Sequence, residues 1–164
     1  MSASVPGRLR VFEDELFTAD QCETCAVPGY LIVRLKGPAA SLAGLEPGSA
    51  RRLGETLSRV ARAIEETVGA ERVYCLAFAE IDPRLHFHLF PRTRAVLEAY
   101  WRATGSEGEP VNGPKLFEWA RSAIVPGKPV PDGLPDVETV CAKLRTALSA
   151  SYRSRGTPWT ARTD

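Results

Sequence analysis

The sequence predicts a single α+β domain, and three observations carry that expectation. Runs rich in β-forming residues fall in the first 95 of its 164 residues, one long helical repeat of apolar positions lies among them, and helical segments dominate the C-terminal part. Leu9 to Phe17 mixes β-formers with charges, and the apolar run Tyr30 to Leu35 opens just after Pro28-Gly29, a strong turn pair. These read as two early strands joined by a bend.

After a polar connection through Lys36-Gly37-Pro38, Pro47-Gly48-Ser49 marks a helix start with Ser49 as its N-cap. Leu53, Leu57, Val60, Ile64 and Val68 recur every three or four residues, while Arg51, Arg52, Glu55, Arg62 and Glu66 mostly take other faces. This helix buries one stripe and ends near Gly69. Arg72 to Phe78 and Arg84 to Phe90 are again rich in β-formers, and Asp82-Pro83 breaks between them, which predicts a hairpin of two central strands. Pro91 should end the second strand, because proline cannot donate to a ladder.

Arg94 to Ala103 and Pro114 to Ile124 come next as helices, the latter capped by Asn112 or Gly113 with Pro114 at its first position. Residues 125–135, interrupted by Pro126, Pro129, Pro131 and Pro135, read as a semi-extended linker over the surface. Asp136 then caps a last helix to about Tyr152, whose stripe Val137, Val140, Cys141, Leu144 and Leu148 must pack on something. The tail, 153–164, is basic and offers Trp159 as an anchor.

With 44% hydrophobic, 25% charged and 8% aromatic residues, the chain can build one ordinary core. Lys plus Arg number 21 against 20 Asp plus Glu, so no net field gathers nucleic acid or anionic lipid, and a bound phosphate must be held by local geometry. No apolar run approaches the roughly 20 residues that a bilayer demands, and the opening residues lack a run of signal-peptide type. The expectation is a cytoplasmic protein with neither membrane nor nucleic-acid partners. Four cysteines are too few for a disulfide scaffold, and only the Cys22/Cys25 pair has spacing that suggests metal chemistry.

Two histidines occur, His86 and His88, both in the predicted strand. Strand alternation puts Arg84, His86, His88 and Phe90 on one face and Leu85, Phe87 and Leu89 on the other, toward the core. Imidazoles beside a guanidinium suit anion chemistry: neutral imidazole can act as nucleophile or base, and arginine can hold phosphate oxygens in a bidentate grip. The bland reading of an isolated H-x-H, two histidines on an ordinary strand, stands beside it.

The string Leu85-His86-Phe87-His88-Leu89-Phe90-Pro91-Arg92 resembles the signature of the histidine-triad superfamily, H-x-H-x-H followed by two apolar residues and often Pro-Arg. Upstream, Pro28-Gly29-Tyr30 through Lys36 is similar to the family's PG-[HY]-x-L-V-x-P-K stretch, Ser41-Leu42 with Leu45 to its S-L-x-x-L, and Val11 to Glu15 to its first strand. The resemblance covers about residues 10 to 95. It implies a roughly five-stranded antiparallel sheet with one long helix, commonly as a homodimer, with 1–95 as the core and 96–164 as a helical extension packed on the same domain.

The resemblance also implies nucleotide chemistry on a small-molecule substrate. His86 aligns with the middle histidine, which attacks the α-phosphorus of a nucleoside or dinucleoside polyphosphate or a phosphoramidate to give a nucleotidyl-histidine. A backbone carbonyl on Nδ1 would leave Nε2 free to attack, while His88, Arg84 and Arg92 would hold phosphate oxygens. The chain departs from the pattern at two places, with Arg84 in place of the first triad histidine and Pro38 in place of the histidine after the upstream lysine. Both are zinc ligands in metal-containing members, so no metal is expected at that site and no cofactor is required, although Mg²⁺ could accompany a polyphosphate. Ala79-Glu80-Ile81-Asp82-Pro83 stands where members often carry neutral phosphate donors, and the carboxylates of Glu80 and Asp82 suit either a turn or a cation bridge. Two further readings remain: a nucleotide-binding protein with little turnover, and a structural zinc site made by Cys22, Cys25, His86 and His88.

Overall fold

A computed structural model describes residues 7–153, so the basic tail and Trp159 lie outside the described residues. The strands are β1 (Arg10–Glu13), β2 (Phe17–Gln21), β3 (Leu31–Leu35), β4 (Arg72–Leu76) and β5 (His86–Arg92), and the helices are α1 (Pro47–Val68), α2 (Arg94–Thr104), α3 (Gly113–Ala123) and α4 (Val137–Arg153). The strands form one five-stranded sheet in the order β1-β2-β3-β5-β4, antiparallel at every step. This is the α+β arrangement that the sequence predicts.

Leu9 to Phe17, expected as one strand, instead holds β1 and the turn of a hairpin. The Asp14 carboxylate accepts hydrogen bonds from the backbone N–H groups of Leu16 at 2.9 Å and Phe17 at 2.8 Å, reversing the chain so that β2 returns along β1. The β2 segment FTADQ lacks an alternating pattern because every one of its residues is buried between β1 and β3. The start of α1 also differs from expectation. Pro47 occupies the first turn behind Glu46, because a proline there sacrifices no helical hydrogen bond, and Ser49 lies inside the helix. Gly69 closes α1 at φ 64°, the left-handed conformation that glycine adopts without a Cβ clash.

The predicted hairpin of two central strands has one central and one edge member: β5 lies between β3 and β4, and β4 is the edge. Pro91 does not end β5, which continues to Arg92 with Pro91 opposite Val73. Pairing with β3 stops at Leu31 opposite Leu89, so the stretch carrying Pro91 is paired on one side only, where a missing N–H is tolerated.

The alternation of β3 and β5 divides the apolar residues between two layers. Leu31, Val33, Leu35, Leu85, Phe87 and Leu89 face α1 and α4, while Tyr30, Ile32 and Phe90 face α2 and α3. Leu53, Val60 and Ile64 of α1 and Val140, Cys141, Leu144 and Leu148 of α4 are buried in the first layer. The long helix therefore shares its face of the sheet with α4, which is also tied to the hairpin by Arg145 donating to the carbonyls of Arg8 and Arg10 at 2.9 and 3.0 Å. Asp136 caps α4 as expected, its carboxylate accepting from Thr139 N at 2.8 Å. Residues 125–135, without helix or strand, carry the chain from the α3 face round to the α4 face, and Leu134 packs into the second layer on the way.

Candidate functional site

Strand β5 positions both histidines on the face under α2 and α3. In its register with β3, His86 stands opposite Arg34 and His88 opposite Ile32, while Leu76 of β4 flanks His88 on the other side. The imidazole centroids are 5.0 Å apart with the rings edge to face.

His86 is buried, and its Nδ1 lies 2.8 Å from the Arg84 carbonyl oxygen. A carbonyl can only accept, so Nδ1 carries the proton, and the neutral form of the ring has its lone pair on Nε2. His88 is anchored differently, with Nδ1 2.8 Å from the hydroxyl of Tyr30. Burial pushes the His88 pKa down to about 4, helped by repulsion from His86, Arg121 and Arg34, so this imidazole is neutral at pH 7. Burial also pushes the Tyr30 hydroxyl well above its ordinary range and keeps it protonated. A Tyr30 hydroxyl donating to Nδ1 leaves His88 with a proton on Nε2, a neutral donor. Phe90 and Phe117 meet the Tyr30 ring edge-on at 5.4 and 5.9 Å and fix its place. The histidine face is thus half roofed: apolar toward α3, polar toward β2.

The other residues singled out from the sequence separate. Arg84 precedes β5 and is exposed, its Nε and Nη2 donating to the two carboxylate oxygens of Asp82 at 2.9 and 2.6 Å. Asp82 is held down to about pKa 2, chiefly by that hydrogen bond, and its Oδ1 also accepts from Arg84 N at 3.1 Å, which is turn chemistry. Arg92 lies six residues beyond His86, a separation of about 20 Å along a strand, and pairs with Glu71 at 2.9 Å. His86 and His88 therefore stand together, with Arg92 away along the strand and Arg84 engaged by Asp82, a carboxylate close enough to interact electrostatically with His86.

Three neighbours were not legible as site residues. Tyr30 lies in the Pro-Gly-Tyr stretch, but only folding brings its hydroxyl to His88. Arg34 shares a face with Ile32 by alternation, yet only the β3–β5 register sets it against His86. Arg121 reaches the histidines from α3, its guanidinium 5.6 Å over the Phe117 ring.

Cys22 and Cys25 are both buried in the second layer, with Cys25 Sγ 3.6 Å from the Ala120 carbonyl. Among the described residues no group of three or more His, Cys, Asp or Glu side chains is arranged to hold a metal ion, so the two thiols and two imidazoles do not form one donor set. Trp119 meets Tyr100 edge-on at 5.5 Å and joins α2 to α3 rather than facing the histidines. A cleft of about 810 Å³ lies among β1, α1 and α4 and includes neither histidine.

Against solved structures, the chain superposes on a hypothetical histidine triad nucleotide-binding protein of Sulfolobus tokodaii with a TM-score of 0.58 and 17% identity, over 90% of this chain and 88% of that one. The fold is that of the histidine-triad proteins. A zinc-bound histidine triad family protein of Mycobacterium smegmatis matches this histidine-triad fold with a TM-score of 0.56 and 19% identity, over 90% and 88% of the two chains. A uridylyltransferase matches with a TM-score of 0.55 and 15% identity, over 88% of this chain and 42% of its own. No family model and no curated protein matches the sequence. Among the described residues, no helix is long and apolar enough to cross a membrane.

Proposed function

We propose that the protein is a nucleotide hydrolase or nucleotidyl transferase that acts on a nucleoside or dinucleoside polyphosphate or a phosphoramidate through His86. The observation that carries this reading is the hydrogen bond from His86 Nδ1 to the Arg84 carbonyl, which selects the tautomer whose Nε2 lone pair can attack. Nε2 attacks the α-phosphorus, the Nε2–P bond forms, and the P–O or P–N bond to the leaving group breaks with its electron pair departing on that group. Positive charge then appears on the imidazole, where the Arg84 carbonyl stabilises the Nδ1 proton. Water or another acceptor attacks phosphorus, the Nε2–P bond breaks, and the imidazole is restored. His88, neutral and oriented by Tyr30, donates from Nε2 to a phosphate oxygen.

The nucleophile is the chain's own imidazole, so the reaction as proposed calls for no bound cofactor, and Mg²⁺ enters only with a polyphosphate. The proposal includes a cytoplasmic setting, in which the four cysteines stay as thiols, and a homodimer in which a second copy pairs along β4, the edge strand among the described residues. A second reading, nucleotide binding with little turnover, is favoured by one observation: the loop before β5 ties its carboxylate and guanidinium to each other instead of offering them to a phosphate.

Intact-protein mass spectrometry after brief incubation with adenosine phosphoramidate and a panel of dinucleoside polyphosphates, paired with product analysis, distinguishes the two. The enzyme reading expects a nucleotidyl adduct or product that disappears in His86→Ala. Nucleotide binding with neither adduct nor product supports the binding reading, and full turnover by a folded His86→Ala refutes the nucleophile assignment.

A further inference from the structure

Two cations that motif spacing does not pick out, Arg34 and Arg121, act on His88, and Arg34 also stands beside His86 in the sheet. Arg34 stands directly across from His86 in the β3–β5 ladder, which places the two Cβ atoms about 5 Å apart on the same face. Its Nη1 donates to Asp20 Oδ2 at 3.3 Å, and its side chain keeps 25% of its surface exposed. That contact uses one proton of a five-donor fork. Asp20, with a side chain only 2% exposed, is already held more closely by Arg10 through Nε at 2.9 Å, and it also accepts from Thr18 Oγ1 at 3.4 Å. Glu13 pairs in turn with Arg10 and Lys36. The network on this side of the histidines therefore sets three cations, Arg10, Arg34 and Lys36, against two carboxylates, and Arg34 is the member closest to His86 in the sheet. Arg84, by contrast, spends both arms of its fork on Asp82, and Arg92 is held by Glu71 at the far end of β5.

We propose that Arg34 is the phosphate-binding guanidinium of this site, receiving the α-phosphate oxygens of a nucleoside phosphate beside His86, with buried Asp20 orienting it from below. This deepens the nucleotide reading and rests on it. Asp20 fixes one edge of the guanidinium against the sheet and leaves the other donors to reach over His86, the arrangement in which a planar fork loses little freedom on binding. The excess positive charge of the network is what an incoming phosphate neutralises. The charge of Arg34 already acts on His88, which it helps to keep unprotonated.

Isothermal titration with AMP and with adenosine, on the wild-type chain, Arg34→Gln, Arg34→Lys and Arg84→Gln, tests the assignment. Losing a charge-assisted contact to phosphate should weaken AMP binding by about tenfold to a hundredfold in Arg34→Gln, with adenosine affinity unchanged. Arg34→Lys keeps a cation beside Asp20 and so guards against a folding failure of Arg34→Gln. It should bind AMP several-fold more weakly than wild type and adenosine equally well. Unchanged AMP affinity in either folded Arg34 variant overturns the proposal, and so does the reverse pattern, in which Arg84→Gln loses AMP and Arg34→Gln does not. A wild-type chain that binds AMP no better than adenosine overturns the nucleotide reading itself, and this inference with it, an outcome distinct from the other two.

Discussion

The half-buried His88 makes acid sensitivity calculable. Its pKa falls from 6.5 to about 4 on folding, because the ring is half-buried against Tyr30 and Phe117 and a proton on it would be repelled by a proton on His86 and by Arg121 and Arg34. A base with a depressed native pKa binds its proton more readily in the unfolded chain, so between the two values the unfolded state holds more protons and stability rises with pH. Its contribution is complete above about pH 6.5 and is lost as the pH falls toward 4. At 1.36 kcal/mol per unit the ceiling is about 3 kcal/mol, and solvent screening of a half-buried ring brings the expected effect to about 1–2 kcal/mol. Urea unfolding at pH 7, 6, 5 and 4.5 on wild type and His88→Gln measures it as the difference between the two pH profiles. Carboxylates contribute to both profiles and cancel, including Asp82, which titrates near pH 2. The wild-type chain should lose most of that effect, about 1–2 kcal/mol, across this window relative to the variant. Parallel profiles, or an imidazole ¹⁵N titration that puts His88 near 6.5, would falsify the buried, neutral assignment.

Three further predictions concern single contacts. Tyr30→Phe leaves His88 Nδ1 without its 2.8 Å partner in a buried setting and should cost about 1–3 kcal/mol; imidazole NMR should also show a mixed His88 tautomer, and an unchanged spectrum counts against the hydroxyl as donor. Leu144→Ala opens a cavity where α4 meets the shared core and should cost about 2–5 kcal/mol in urea unfolding; a loss under 1 kcal/mol would mean that α4 is dispensable. Asp14→Ala removes two backbone hydrogen bonds of the β1–β2 turn and the 2.8 Å pair with Arg52, so about 1–3 kcal/mol should disappear, with hydrogen exchange quickening first in β1.

Periodicity carried most of the architecture because burial writes it into the chain. The stripe Leu53, Val60 and Ile64 of α1 and the stripe Val140, Cys141, Leu144 and Leu148 of α4 are buried as their spacing requires. Leu85, Phe87 and Leu89 point to the core and the histidines to the other face, as strand alternation demands. Where burial is uniform the signal vanishes. Every residue of β2 is covered, so no alternation marks it, and its hairpin depends on the Asp14 carboxylate bonding to the backbone.

The sequence by itself determined the strand that carries His86 and His88, the face they share and the two amphipathic helices, since each comes from local repeat and side-chain chemistry. Tertiary structure decided what surrounds the histidines. Strand register is a property of two segments at once, and it alone sets Arg34 against His86. The roof of α3 half-buries His88, sets Phe117 against it and lets the charge of Arg121 act on it, while a local turn pairs Arg84 with Asp82. Nearness in sequence and nearness in space thus bring different charges into view, because electrostatic and hydrogen-bond energies depend on distance and not on position in the chain.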